Sequence, residues 1–143
     1  MRRAEGWGLT AAVCAAALAC IPLANSAASQ QPAYVPTALE SRLDSLPQGT
    51  RVIAEGDVTG WLLYVAPNLQ PVFDLRIESY SPSHAKRFLA TMAAKPGWQA
   101  FMDDTAPRAA LLLDDSPLAA ALQEQSGWTS HGSDRGFVLL EAG

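Results

Sequence analysis

Apolar positions fall into two patterns along the chain, short continuous runs and helix-spaced sets. Arg51–Glu55 (RVIAE), Gln70–Arg76 (QPVFDLR) and Ala109–Leu113 (AALLL) are short runs bounded by turn residues and read as strands. Leu39, Leu43 and Leu46 recur at helical spacing, and so do Ala85, Phe88, Leu89 and Met92, which are expected to form the inner face of their helix. Trp98, Phe101 and Met102 begin a further amphipathic piece, and Leu118, Ala121 and Leu122 mark the inner side of another. Trp61–Ala66 (WLLYVA) is apolar all round and stopped by Pro67; the preceding Thr59-Gly60 favours a helix over a strand.

Start and stop signals agree with these assignments. Thr37 and Glu40 have capping-box spacing, and Pro47-Gln48-Gly49 ends that helix. Ser81-Pro82 and Ser116-Pro117 each place a capping hydroxyl before a proline suited to the first helical position. Pro96-Gly97 breaks one helix, and Gly127 ends another. Gly56-Asp57-Val58-Thr59-Gly60 reads as a tight strand-to-helix turn, without the spacing or lysine of a phosphate loop. In the tail, Trp128–Ser130 and Phe137–Leu140 flank His131–Gly136 as a hairpin with a polar loop. On the helix at Ser81, His84, Lys86 and Arg87 are expected in solvent. Strands alternating with helices predict an α/β fold. It is a small three-layer domain with a mostly parallel sheet, right-handed crossovers and a C-terminal β-hairpin.

One N-terminal hydrophobic helix is expected to precede this domain. Met1-Arg2-Arg3 is basic, and Trp7–Ala24 is uncharged and rich in alanine. As a helix this run would be about 27 Å long, just enough for a bilayer core. The two arginines place the N-terminus in the cytoplasm and the domain outside. Three readings compete: an uncleaved single-pass anchor, the last span of a larger membrane protein, and a signal peptide cleaved near Ala24–Ala28, which would leave a secreted domain. Residues 1–26 are then the span or signal, 27–36 a linker, and 37–143 the domain.

The chain has 143 residues, 49% of them hydrophobic and 17% charged, which suits one ordinary domain rather than a disordered chain. Its net charge of −4 excludes a general nucleic-acid binder, which needs a basic surface. Both cysteines, Cys14 and Cys20, sit in the N-terminal run, so the domain uses neither disulfides nor thiol chemistry. His84 and His131 have no ligand-spaced partners, and neither a metal nor a cofactor is expected.

The stretch that carries candidate chemistry is Gln70–Tyr80, QPVFDLRIESY. Apolar residues give way at once to Asp74, Arg76 and Glu78, with Tyr80 closing the run. On a strand those three charged residues share one face. The carboxyl ends of strands are where α/β domains bind ligands, and Asp57 would join the group if its strand were the neighbour. Asp74, Arg76, Glu78, Tyr80 and Asp57 are therefore the candidate ligand-binding residues, set against a plain Asp–Arg ion pair that fixes the strand end. Two carboxylates and an arginine also suggest glycosidase chemistry, but no nucleophile motif supports it, and no catalytic residue is assigned.

The order of landmarks resembles the C-terminal soluble domain of bacterial multi-pass, glycosyltransferase-like membrane proteins related to oligosaccharyltransferases and protein mannosyltransferases. The landmarks are Leu46-Pro47-Gln48-Gly49-Thr50-Arg51-Val52, Gly60–Pro67, Asp74-Leu75-Arg76 with Tyr80, and Gly97-Trp98. Leu111–Leu113 ahead of Pro117-Leu118-Ala119, Gly127-Trp128, and Asp134 before Phe137–Leu140 complete the set. Leu75 stands where the pattern has glycine. The resemblance implies a domain on the outer side of the membrane, beside a catalytic core whose carboxylates lie in other membrane loops. This chain alone would then transfer no sugar. Its implied role is recognition or positioning at the cell envelope, with the membrane, a multi-pass membrane protein, or a glycan or lipid-linked sugar as partner. The alternative is a secreted cell-envelope domain that binds a small polar ligand.

Overall fold

The computed structural model describes residues 34–74 and 76–143. A 3-10 turn at Thr37–Leu39 leads into α1 (Glu40–Asp44), followed by β1 (Arg51–Ala54), α2 (Gly56–Val65) and β2 (Gln70–Pro71). A second 3-10 turn at Ile77–Ser79 precedes α3 (Pro82–Met92), α4 (Trp98–Thr105), β3 (Ala109–Leu113), α5 (Pro117–Gln123), β4 (Trp128–Asp134) and β5 (Phe137–Ala142). The expected N-terminal hydrophobic helix lies outside the described residues. Among the described residues, no helix is long and apolar enough to cross a membrane.

The five strands lie in the order β2-β1-β3-β5-β4. The fold is α/β, but the expected mostly parallel sheet is overturned. β1 pairs in parallel with β2 and β3 over short registers, whereas β5 runs antiparallel to both β3 and β4 over longer ones. The sheet is mixed, and most of its ladder is antiparallel. β5 inserts between β3 and its own hairpin partner, so the hairpin extends the sheet with β4 as its edge.

Both faces of the sheet are covered, which explains the unbroken apolar runs. Val52, Ala54, Ala109, Leu111, Phe137 and Leu139 point to one face, where Leu39, Leu43, Val58 and Leu62 cover them. Ile53, Ala110, Leu112, Val138 and Leu140 point to the other, under Phe88, Phe101, Met102, Leu118 and Leu122. Each strand splits its side chains with period two, and Leu111 stands opposite Leu139 across β3 and β5. Fully burying one such leucine stabilises by about 1.5–3 kcal/mol.

The Ser–Pro starts form as expected: Ser81 Oγ accepts from the His84 N–H and Ser116 Oγ from the Ala119 N–H. Four local expectations are corrected. Thr37 does not cap; the Ala38 N–H donates instead to Asp134 Oδ2 at 2.9 Å, from the far end of the chain. Gly56–Gly60 is not a turn but the first half of α2, because Val58, Thr59 and Leu62 bury together and the Thr59 hydroxyl donates to the Glu55 carbonyl at 2.9 Å. The hairpin has no six-residue loop: β4 runs on through a bulge between Ser130 and Gly132, and the connection is Arg135-Gly136, both at positive φ. That pair of left-handed residues has the twist that suits adjacent strands. The strand expected at Gln70–Arg76 ends at Pro71, for a reason seen in Asp74.

Candidate functional site

β2 is an edge strand, and Pro71 has no N–H to extend a ladder. One more sheet bond forms, from the Val72 N–H to the Val52 carbonyl at 2.8 Å. Then Asp74 Oδ1 accepts the backbone N–H of Arg76 at 2.9 Å, a side-chain turn that folds the chain back on itself. The Ser79 N–H closes the next turn on the Arg76 carbonyl at 2.8 Å. The charged residues after Phe73 therefore lie on a turn and not along one face of a strand.

Asp74 is buried, and Arg76 holds it completely. The guanidinium donates to Oδ2 through Nε at 2.9 Å and Nη2 at 2.5 Å, while its head stays exposed. Hydrogen bonding from Arg76 keeps the Asp74 carboxyl below the usual carboxylate range, against the opposing effect of burial. A carboxylate held charged in this way is a poor proton donor at neutral pH. The Asp–Arg ion pair weighed as the plain alternative is thus present. Glu78 is exposed on the 3-10 turn.

Tyr80 belongs to a ladder of rings. Its centroid lies 4.7 Å from Phe73 and 5.2 Å from His84, with which it stacks. Phe73 continues to Phe88 at 4.5 Å, and His84 reaches Phe101 at 5.2 Å. Burial pushes the Tyr80 phenol above its ordinary pKa, and the Asp74 charge adds to this. The expectation of a solvated His84 is corrected: it faces inward, with Nε2 3.1 Å from the Val72 carbonyl, because the turn at Asp74 brings Phe73 and Tyr80 over α3. Lys86 and Arg87 are exposed as expected.

Asp57 is exposed in the first turn of α2. Its charge acts on Glu55, whose carboxyl is raised first by burial and further by Asp57 and Asp115. The Leu113 N–H, 3.5 Å from Glu55 Oε1, works the other way. β1 is the neighbour of β2, the condition set for Asp57 to join Asp74; the charge acting on Asp74 comes from Arg76, and that of Asp57 acts on Glu55. Among the described residues, no group of three or more His, Cys, Asp or Glu side chains is placed to hold a metal ion.

A concavity is assembled where β3 begins, at the opposite end of that strand from Glu55. It has a volume of about 440 Å³. Trp98 and Trp128 line it, with Gln99, Asp103, Arg108 and Gln125 adding polar groups. Trp98, Gln99 and Asp103 come from α4, Gln125 follows α5, and Trp128 opens β4. Among the described residues no hydrogen bond engages the side chains of Gln99, Asp103 or Gln125, and Arg108 Nη2 donates to the Gly143 carbonyl at 3.2 Å. Indole rings present flat apolar faces, while amide, carboxylate and guanidinium groups offer planar donors and acceptors. Sequence reasoning did not assign this cleft to a ligand. Its signal was the recurrence of Gly97-Trp98 and Gly127-Trp128, each opening an element and both turned to the same end of the sheet. No protein-family model matches the chain, and the search of curated proteins finds no match.

Proposed function

We propose that this is a non-catalytic recognition domain of the cell envelope, whose cleft between Trp98 and Trp128 takes the sugar portion of a glycan or lipid-linked saccharide. The observation that carries the reading is the pairing of two indoles with the uncommitted polar side chains of Gln99, Asp103 and Gln125 around one concavity. A sugar ring has one apolar C–H face, which packs on an aromatic ring, and an equatorial rim of hydroxyls that needs paired donors and acceptors. Sites of this kind are concave, largely apolar, and oriented by few polar groups. The resemblance to the extracytoplasmic domain of glycosyltransferase-like membrane proteins supports the same chemistry, and two of its landmarks, Gly97-Trp98 and Gly127-Trp128, supply the indoles. The hold of Arg76 on Asp74, two guanidinium N–H groups on Oδ2, fits positioning rather than proton transfer in the QPVFDLRIESY stretch.

The test is a saccharide-binding screen on the full chain, followed by titration of any hit with the indole fluorescence as readout. Binding should weaken at least tenfold in Trp128→Ala, whose side chain is only half-buried, and in Asp103→Ala, with the thermal midpoint little changed for the latter. Binding that survives both substitutions, or a ligand that perturbs only Tyr80 and Arg76, would overturn the assignment. Sequencing the mature N-terminus decides between the anchored and the secreted forms of the domain.

A further inference from the structure

We propose that the α3 surface around Leu89 is a contact face for the anionic headgroup layer of a membrane, separate from the tryptophan cleft. The first observation is charge segregation. The chain carries a net charge of −4, yet from Ser79 to Met102 it has no acidic residue, and Lys86, Arg87 and Lys95 all fall in that stretch. Arg87 is turned away, donating to Asp104 Oδ2 at 2.5 Å and lying over the Phe101 ring. Lys86 and Lys95 are not: both are exposed, and among the described residues no carboxylate pairs with either ammonium.

The second observation is what lies between them. Lys86, Lys95, Leu89 and Tyr80 line one shallow groove on the outer side of α3. Leu89, expected on the inner face of the helix, is instead 66% exposed there, although Phe88 beside it is buried in the core. The inner side of α3 packs through Phe88 and the ring ladder, and Leu89 belongs to neither core cluster. An apolar side chain flanked by two unpaired ammonium groups matches a layered partner, anionic on its surface and apolar beneath. An acidic peptide supplies the charge but not the apolar depth; a bilayer interface supplies both. Lysine stems lie along apolar surface while their heads stay in the phosphate layer, and tyrosine, with an apolar body and a polar tip, favours the same boundary.

The experiment uses the full chain in lipid nanodiscs, with Cys14→Ser and Cys20→Ser removing the native thiols and a spin label attached at Leu89→Cys. The reference label sits at Tyr64→Cys, on α2 against the other face of the sheet and 84% exposed. In discs containing about 30% phosphatidylglycerol, the label at 89 should gain collisions with oxygen and lose them with a nickel chelate, while the label at 64 stays aqueous. Pure phosphatidylcholine should leave both aqueous. Each lysine neutralised, Lys86→Gln or Lys95→Gln, should reduce the inserted population about fivefold, and the double reversal Lys86→Glu with Lys95→Glu should abolish it while circular dichroism shows the fold intact. Equal behaviour at 64 and 89, insertion into neutral discs that ignores the charge reversals, or occupation of the lysines by soluble glycerol phosphate without lipid entry would each overturn the proposal.

Discussion

The Asp74 carboxylate accepts three hydrogen bonds from one residue two positions on: Arg76 donates its backbone N–H to Oδ1 and two guanidinium N–H groups to Oδ2. One carboxylate thereby ends a strand, starts a turn and fixes the approach to Tyr80. Its folded pKa lies below the ordinary carboxylate value because Arg76 favours the charged form. The contribution of the pair is therefore complete above the unfolded value of about 3.9 and is lost as pH falls through the lower folded value. Asp74→Asn keeps an acceptor for the Arg76 N–H but loses the ion pair. Its melting midpoint should fall by a few degrees at pH 7, and the difference from the parent should close as both are titrated towards pH 2.

Glu55 has the opposite sign. Burial raises its carboxyl above the ordinary range, with the charges of Asp57 and Asp115 adding to the shift. A raised carboxyl costs stability once it is ionised, and that cost disappears as pH falls through its folded value. Glu55→Gln preserves an acceptor for the Leu113 N–H without the charge. It should raise the midpoint at pH 7 by roughly 1–3 °C, with the advantage shrinking as pH approaches 4. Thermal melts at the two pH values check both the size and the direction.

The core was legible because AALLL and FVLL are short, uniformly apolar runs between turn residues, the pattern of buried strands. That same uniformity concealed the direction of β5: with both faces apolar, alternation gives no register, and chain order alone does not say that β5 inserts beside β3. Ser81-Pro82 and Ser116-Pro117 were legible because a cap acts within three residues. The strand at Gln70 stops short of its expected end because the Asp74 side chain accepts the Arg76 N–H and turns the chain instead of extending the ladder. In the candidate site, the sequence singled out charged residues close together in the chain. It left the cleft unassigned because Trp98, Arg108, Gln125 and Trp128 meet only when two helices and two strand ends converge.

A long-range cap offers a direct contrast. Thr37 has the spacing of a capping residue but makes no cap, whereas Asp134 supplies the acceptor for the Ala38 N–H. Asp134→Ala should destabilise by about 0.5–2 kcal/mol, the range for loss of a capping side chain. Thr37→Ala should change stability by less than about 0.5 kcal/mol. Paired urea unfolding curves distinguish the two, and equal effects would restore the cap to Thr37.

The sheet centre sets the scale for packing losses. Leu111 and Leu112 are fully buried neighbours on β3 that belong to clusters on opposite faces. Leu111→Ala and Leu112→Ala should each cost about 2–5 kcal/mol. Because the sheet separates the cavities, the double variant should lose nearly the sum, with any coupling passing through the shared backbone. A coupling well above about 0.5 kcal/mol in denaturant titrations would show that the two faces do not pack independently.

Ala106 ends α4 in the left-handed conformation, at φ +45°, while its N–H donates to the Met102 carbonyl at 2.7 Å. A Cβ makes this conformation costly by about 1–2 kcal/mol, and glycine removes the penalty. Glycine also loosens the unfolded chain by about 0.4–1 kcal/mol, which offsets part of the gain. Ala106→Gly should therefore be stabilising by about 0.5 kcal/mol, and Ala106→Val destabilising, because a β-branched side chain tolerates positive φ least. The position also borders the tryptophan cleft. If the cleft binds as proposed, the glycine variant should keep saccharide affinity while gaining stability. A simultaneous loss of both would mean that the turn after α4 does not hold the left-handed geometry.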